Sequence, residues 1–285
     1  QSYCLPFDLL IYSEDDISQD ISTYNNKNNK IIFENILQDK EYANFILDEG
    51  PKEFDSRRNL NKCNSTCDEY CFEHVNRLCK RNGCKNRTIS CSGKCVTCNG
   101  GYEKIWNETK KFSYKVFSMI NSTKKYSKKY KYFIWMDADN VFKEQFDFDL
   151  IEKITKNKSF FMAYLGRWQT YLEAGFLLFN SQNKFSKKFF SSIRKLYLSN
   201  DIYYEQQVHD AFIWNLMKNR FERKYGKKFK NIDISNNWSK KNNDGGNINI
   251  MSRTLLSKYM FHNKGRLKYK KTSQKQNDFK KKKIN

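Results

Sequence analysis

Proline is nearly absent from this chain, with two residues in 285. That excludes a linker-rich string of small modules. No apolar run approaches the roughly 20 residues of a membrane-spanning helix, and there is no internal repeat. Arginine is scarce beside lysine, so the formal net charge of +22 is mostly ammonium charge. Lysine travels with asparagine, as in Asn25-Asn26-Lys27-Asn28-Asn29-Lys30, a pairing that reflects coding bias more than a shaped surface. Aromatic residues do not interleave with the lysine runs as a base-stacking platform requires. Together these features count against nucleic acid as the main partner, although a basic surface still favours anionic ligands. The chain opens at Gln1 rather than Met, so the lack of a leader or anchor segment is weak evidence on location.

What is present is apolar material. The chain is 39% hydrophobic and 16% aromatic, enough for a substantial core in one large domain or two small ones despite its polar average. Short apolar runs predict strands at 7–12, 31–33, 131–136, 160–165 and 175–179. Helical periodicity predicts helices at 41–47, 103–125, 184–198 and 206–220. The face of the second carries Ile105, Trp106, Phe112, Val116, Phe117 and Ile120. Alternating strands and helices argue for an α/β fold with a mixed, mostly parallel sheet flanked by helices. The expected organisation is one domain over 1–273, interrupted by a small cysteine-rich insertion at 63–98. A basic tail at 274–285, with Lys280-Lys281-Lys282-Lys283, follows it and is expected to be solvated and disordered.

Eight of the nine cysteines form that insertion: Cys63, Cys67, Cys71, Cys79, Cys84, Cys91, Cys95 and Cys98. Zinc sites usually present paired C-x₂-C knuckles, and only Cys95/Cys98 has that spacing. His74 is a further candidate ligand, although a lone His in a polar stretch is more often simply exposed. The Cys63/Cys67/Cys71 spacing would line one face of a helix. An even count with varied gaps fits four disulfides in an oxidising compartment, which is the favoured reading over zinc. Cys4 is then left over. Disulfides imply a secretory-pathway lumen, and zinc implies the cytoplasm. Six Asn-x-Ser/Thr sequons, at Asn64, Asn86, Asn107, Asn121, Asn157 and Asn237, are no more than an Asn-rich chain produces by chance and do not decide the compartment.

The chemistry concentrates further along. Lys131-Tyr132-Phe133-Ile134-Trp135-Met136 runs into Asp137-Ala138-Asp139. Strand alternation would point Asp137 and Asp139 the same way, with Ala138 opposite. Paired carboxylates at the carboxyl end of a buried strand suit Mg²⁺ or Mn²⁺, which commonly accompany a diphosphate. The alternative is a strand ending in a solvated turn. Leu165-Gly166-Arg167 and Glu173-Ala174-Gly175-Phe176 follow, then Glu205-Gln206-Gln207-Val208-His209-Asp210 at a helix start. Gly175 would let a ligand or another backbone approach closely. Acidic residues such as Asp210 could equally serve the helix dipole. Finally, Phe261-His262-Asn263-Lys264-Gly265-Arg266 sets an imidazole beside cations and a glycine. Imidazole can join two carboxylates around Mn²⁺.

The ordered set of Asp137-Ala138-Asp139, Glu173-Ala174-Gly175-Phe176 with Asn180, and His262-Asn263-Lys264-Gly265 resembles a GT-A-fold glycosyltransferase. It is similar to the nucleotide-diphospho-sugar transferases of bacteria, algae and large viruses, and more distantly to glycogenin-like enzymes. Phe112-Ser113-Tyr114-Lys115 also resembles a segment that precedes the paired aspartates in that family. The likeness covers roughly 103–273, with 7–15 as a first strand. It implies a Mn²⁺- or Mg²⁺-dependent transfer of sugar from a nucleoside-diphosphate sugar to a glycan, protein or lipid acceptor. Asp139 and His262 would ligate the metal, and Asp137 would contact metal or ribose. Lys264 and the Gly265 backbone would hold the diphosphate, with Lys115 a second candidate and Gly175 close to the donor. Glu173 and Asp210 would bind sugar or acceptor hydroxyls, either one serving as the base of an inverting reaction. Arg167 would contact donor or acceptor, or form a structural salt bridge. Retention or inversion stays open.

Two other classes compete with this reading. A basic polyanion- or nucleic-acid-binding protein would gather the lysine runs on one face and bind with steep salt dependence. A non-catalytic cysteine-rich glycan-binding module would work without metal.

Overall fold

The computed structural model describes residues 7–13, 30–48, 101–144, 146–156, 159–205, 207–243 and 249–262. The cysteine insertion at 63–98, Cys4, Lys264, Gly265 and the tail at 274–285 lie outside them. The described residues form a mixed α/β structure in two compact units, one drawn from 36–117 and 194–209, the other from 1–35, 118–193 and 210–285. No helix among them is long and apolar enough to cross a membrane.

The strands are β1 (Leu9–Ser13), β2 (Ile31–Asn35), β3 (Tyr132–Met136), β4 (Asn140–Phe142), β5 (Met162–Leu165), β6 (Glu173–Asn180), β7 (Asn231–Asp233) and β8 (Met260–His262). The helices are α1 (Lys40–Leu47), α2 (Gly101–Tyr126), α3 (Phe148–Thr155), α4 (Ser186–Leu198), α5 (Asp210–Tyr225), α6 (Trp238–Lys241) and α7 (Leu256–Tyr259). Their ends follow local chemistry. Asp39 and Asp147 cap α1 and α3 by accepting the Tyr42 and Leu150 N–H groups. Lys156 closes α3 in the left-handed conformation at φ 48°. In α5, Asp210 stands in the first turn and Arg223 and Lys224 in the last, each complementing the helix dipole. This helix starts four residues beyond the expected position and runs on to Tyr225. Gln206 lies outside the described residues.

A four-stranded sheet in the order β3-β6-β5-β7 organises the larger unit. Two two-stranded sheets accompany it, β1 with β2 and β4 with β8. The expectation of mostly parallel strands is corrected here. β1/β2 and β5/β7 are parallel, but β3/β6, β5/β6 and β4/β8 are antiparallel. The connection from Leu165 to Glu173 is far shorter than a parallel crossover needs, so β6 folds back beside β5. β6 is central and buried along all but its last residue, Asn180. β3 is half-buried throughout rather than fully buried.

The sheet packs on two apolar layers. One gathers Phe146, Leu150, Ile154, Phe176, Leu178, Met251 and Met260. The other stacks Phe161 against Phe179, Phe189, Phe190 and Phe229, with Trp214 set against Phe179 and Phe189. In the smaller unit, Tyr42, Phe45, Trp106, Phe117 and Tyr197 cluster. Ser113 on α2 lies 3.0 Å from the Tyr42 hydroxyl and donates to the Lys110 carbonyl. Arg194 closes this unit with two 2.7 Å bonds to the Asp39 carboxylate, the bidentate arrangement guanidinium favours.

Candidate metal centre

The site is assembled where β3 ends. Asp137 and Asp139 do not sit on an extended strand, so strand alternation does not aim them. A turn follows Met136, closed by the Asn140 N–H donating to the Asp137 carbonyl at 3.0 Å. The Asp137 N–H still donates across to the Gly175 carbonyl at 3.1 Å, which carries the β3/β6 ladder one residue further. Ala138, at the turn's tip, is exposed.

Two antiparallel pairings bring the partners in. In β3/β6, Met136 opposes Phe176, so the start of β6, with Glu173 and Gly175, lies beside the aspartate turn. In β4/β8, Asn140 opposes His262, which delivers the imidazole from the far end of the chain. His262 Nε2 lies 2.7 Å from Asp139 Oδ1 and 3.7 Å from Asp137 Oδ2. Its other ring nitrogen, Nδ1, is 3.9 Å from Glu173 Oε1. The His262 side chain is 3% exposed and that of Glu173 6%, against 20% for Asp139 and 30% for Asp137. The aspartates thus form the open side of the cluster and Glu173 its floor.

Further side chains fix this arrangement. The Trp135 indole N–H donates to Asp137 Oδ1 at 2.8 Å, which leaves Oδ2 on the His262 side. Asn140 donates its amide to the Gly175 carbonyl at 2.8 Å, and Asn249 donates to the His262 carbonyl at 3.0 Å. Gly175 is a steric requirement. A Cβ there would stand 2.7 Å from His262 Cε1 and 2.8 Å from Nδ1. The space at Gly175 is therefore filled by the imidazole, not left open to a ligand.

Arg167 serves the loop that carries Glu173. Its guanidinium donates to the Tyr171 carbonyl at 2.8 Å and to that of Leu172 at 3.4 Å. It also lies 3.6 Å from Glu173 Oε2. Of its two expected uses, the structural ion pair is the one visible here. Asp210 is buried at the start of α5, outside the group formed by Asp137, Asp139 and His262. Lys115 belongs to α2 within the smaller unit.

Sequence reading missed Trp135, Asn140 and Asn249, which brace the site. Trp135 was accessible in principle, because it stands two residues before Asp137. Asn249 carries no local signal, since only the tertiary fold brings it to His262. Asp233 accepts the N–H groups of Gly166 and Ser235, both at 2.9 Å, and that of Asn237 at 3.0 Å. It knits the loops after β5 and β7 and does not join the site.

The donor set fits a divalent cation. Bonds of about 2.0–2.2 Å place two ligands of one ion roughly 3 to 4.4 Å apart. The ligand atoms of Asp137, Asp139 and His262 all lie within 4.8 Å of one another. Two carboxylate oxygens with one imidazole nitrogen suit Mn²⁺ better than an all-oxygen cage would. Glu173 adds a third carboxylate behind the ring, 3.9 Å from Nδ1, and it is the one that Arg167 neutralises. Compared with known proteins, the chain matches no family model, no curated protein and no solved structure.

Proposed function

We propose that this chain is a metal-dependent glycosyltransferase of GT-A type, moving a sugar from a nucleoside-diphosphate donor to a glycan, protein or lipid acceptor. The observation that carries the reading is the convergence of Asp137, Asp139 and His262 at the mouth of the central sheet. Side chains distant in sequence meet there in a set with little purpose as core packing. In the family that the chain resembles, the same ordered segments serve donor binding.

In this reading Asp139 and His262 hold Mn²⁺ or Mg²⁺, and Asp137 offers its Oδ2 while Trp135 occupies its Oδ1. When bound, the cation supplies Lewis-acid stabilisation of charge on the departing nucleoside diphosphate. Lys264 and the Gly265 backbone, which come soon after β8 in the sequence and lie outside the described residues, are assigned to the diphosphate. Asp210, the other carboxylate named for sugar or acceptor hydroxyls, is buried at the start of α5 outside the metal group, so the base stays unassigned. If the cysteines of 63–98 pair as disulfides, the enzyme works in the lumen of the secretory pathway.

The test is a thermal-shift screen of UDP-, GDP- and CMP-sugars with and without Mn²⁺. A ligand that binds only the folded state stabilises it by about 2.7 kcal/mol at 100 times its Kd. For domains of this size that is a rise of several degrees. The expected result is a rise that requires both Mn²⁺ and one class of donor. No rise with any pair, in protein shown to be folded, overturns the proposal.

A further inference from the structure

The imidazole of His262 has two nitrogens, and the fold gives each a different neighbour. Nε2 faces the aspartates, at 2.7 Å from Asp139 and 3.7 Å from Asp137. Nδ1 faces Glu173 at 3.9 Å, is buried, and has no hydrogen-bond partner among the described residues. A neutral imidazole carries one proton, so ligation through Nε2 requires that proton to sit on Nδ1. A buried Nδ1–H then needs an acceptor, because leaving it unmade costs the full desolvation of the group. The carboxylate oxygen facing it is Glu173 Oε1. Closing from 3.9 Å to hydrogen-bond length takes a shift of about 1 Å.

Glu173 is built for that task and poorly placed for another. Its side chain is 6% exposed, whereas a general base must reach the acceptor hydroxyl directly or through one water. Oε1 accepts the Gly175 N–H at 3.2 Å, and Oε2 lies 3.6 Å from Arg167, which is itself tied to two carbonyls of the same loop. Gly175 keeps the ring edge and the carboxylate in line, because any side chain there would occupy the space of Nδ1 and Cε1.

We propose that Glu173 is a positioning residue that holds His262 in its Nδ1–H tautomer and so aims the Nε2 lone pair at the cation. The inference rests on reading Asp137, Asp139 and His262 as a metal centre, and it withdraws the catalytic role that the sequence suggested for Glu173. Carboxylates set behind a metal-binding imidazole typically change metal affinity by 10- to 100-fold when removed.

The test uses the full chain. Mn²⁺ affinity is measured by calorimetry for the unmodified protein, Glu173→Ala and the near-isosteric Glu173→Gln. The imidazole tautomers are read from long-range ¹H–¹⁵N spectra without metal and with Mg²⁺, a diamagnetic ion that neglects thiols. The chain has three histidines, so His262→Gln assigns the signal. The expected result is a pure Nδ1–H form for His262 in the unmodified protein both with Mg²⁺ and without it. Mn²⁺ affinity falls about 10-fold in Glu173→Gln and up to about 100-fold in Glu173→Ala, with mixed tautomers in both in the metal-free protein, where ligation no longer dictates the proton's place. Glu173→Gln keeps the test available if Glu173→Ala does not fold. Unchanged affinity and tautomer in a folded variant overturn the positioning role while leaving the metal centre standing. Failure of Mn²⁺ to bind the unmodified protein overturns the metal centre, and this proposal with it.

Discussion

Asp139→Ala is expected to weaken Mn²⁺ binding by more than about 100-fold, beyond the range of changes outside the ligand set, and to leave the melting temperature nearly unchanged. Both halves follow from where Asp139 sits. It stands on the turn after β3, its side chain 20% exposed, and it contributes nothing to the apolar layers around the sheet. Removing it deletes a ligand atom 2.7 Å from His262 Nε2 without opening a cavity. It also removes one of two neighbouring carboxylates, which repel each other when no cation lies between them. Calorimetry with Mn²⁺, paired with a melting curve, checks the two halves together. Retained affinity would remove Asp139 from the ligand set, and a large loss of stability would show that the turn is structural.

Gly175→Ala is expected to destabilise the protein by about 1–3 kcal/mol, the usual cost of overpacking, and to weaken Mn²⁺ binding as well. Ala is no burden on the strand backbone, so the effect is steric. The new methyl would lie 2.7 Å from His262 Cε1, 2.8 Å from Nδ1 and 3.4 Å from Glu173 Oε1. Neither side gives way easily. β6 is paired on both edges, to β3 and β5, and β8 holds the imidazole through its pairing with β4. The ring must therefore tilt, which moves Nε2 away from the aspartates. Denaturant melts and a Mn²⁺ titration check this. Normal stability with normal affinity would mean that the imidazole moves freely, and the rigid-site account would fail.

The elements themselves were largely legible. Tyr132–Met136 is an unbroken aromatic and β-branched run, and the apolar period of Gly101–Tyr126 is long enough to leave no ambiguity. Strand direction was not legible, because side-chain alternation is the same in either direction. The seven-residue step from Leu165 to Glu173 was the available clue to the antiparallel turn-back of β6. That turn-back places Glu173 beside the end of β3.

At the site, residue types were readable and orientations were not. Asp137, Asp139 and His262 could be singled out as a possible ligand set, but the reason given for the aspartates was strand alternation, and a turn aims them instead. Gly175 was read as a place where a ligand or another backbone comes close, and what comes close is the imidazole of a distant strand. Glu173 was read as a candidate for binding sugar or acceptor hydroxyls, and the structure sets it beside His262 and Arg167. The two contacts with His262 depend on the register of β8 against β4, a long-range pairing with no local trace in the sequence.

The central claim is that one divalent cation binds between the aspartate turn and His262. The most direct measurement is an electron paramagnetic resonance titration of the unmodified protein with Mn²⁺, following loss of the free-ion signal. The account predicts saturation at a single equivalent, abolished in parallel by Asp139→Ala and His262→Gln. A free-ion signal that rises linearly from the first addition, or binding that survives both substitutions, would contradict it.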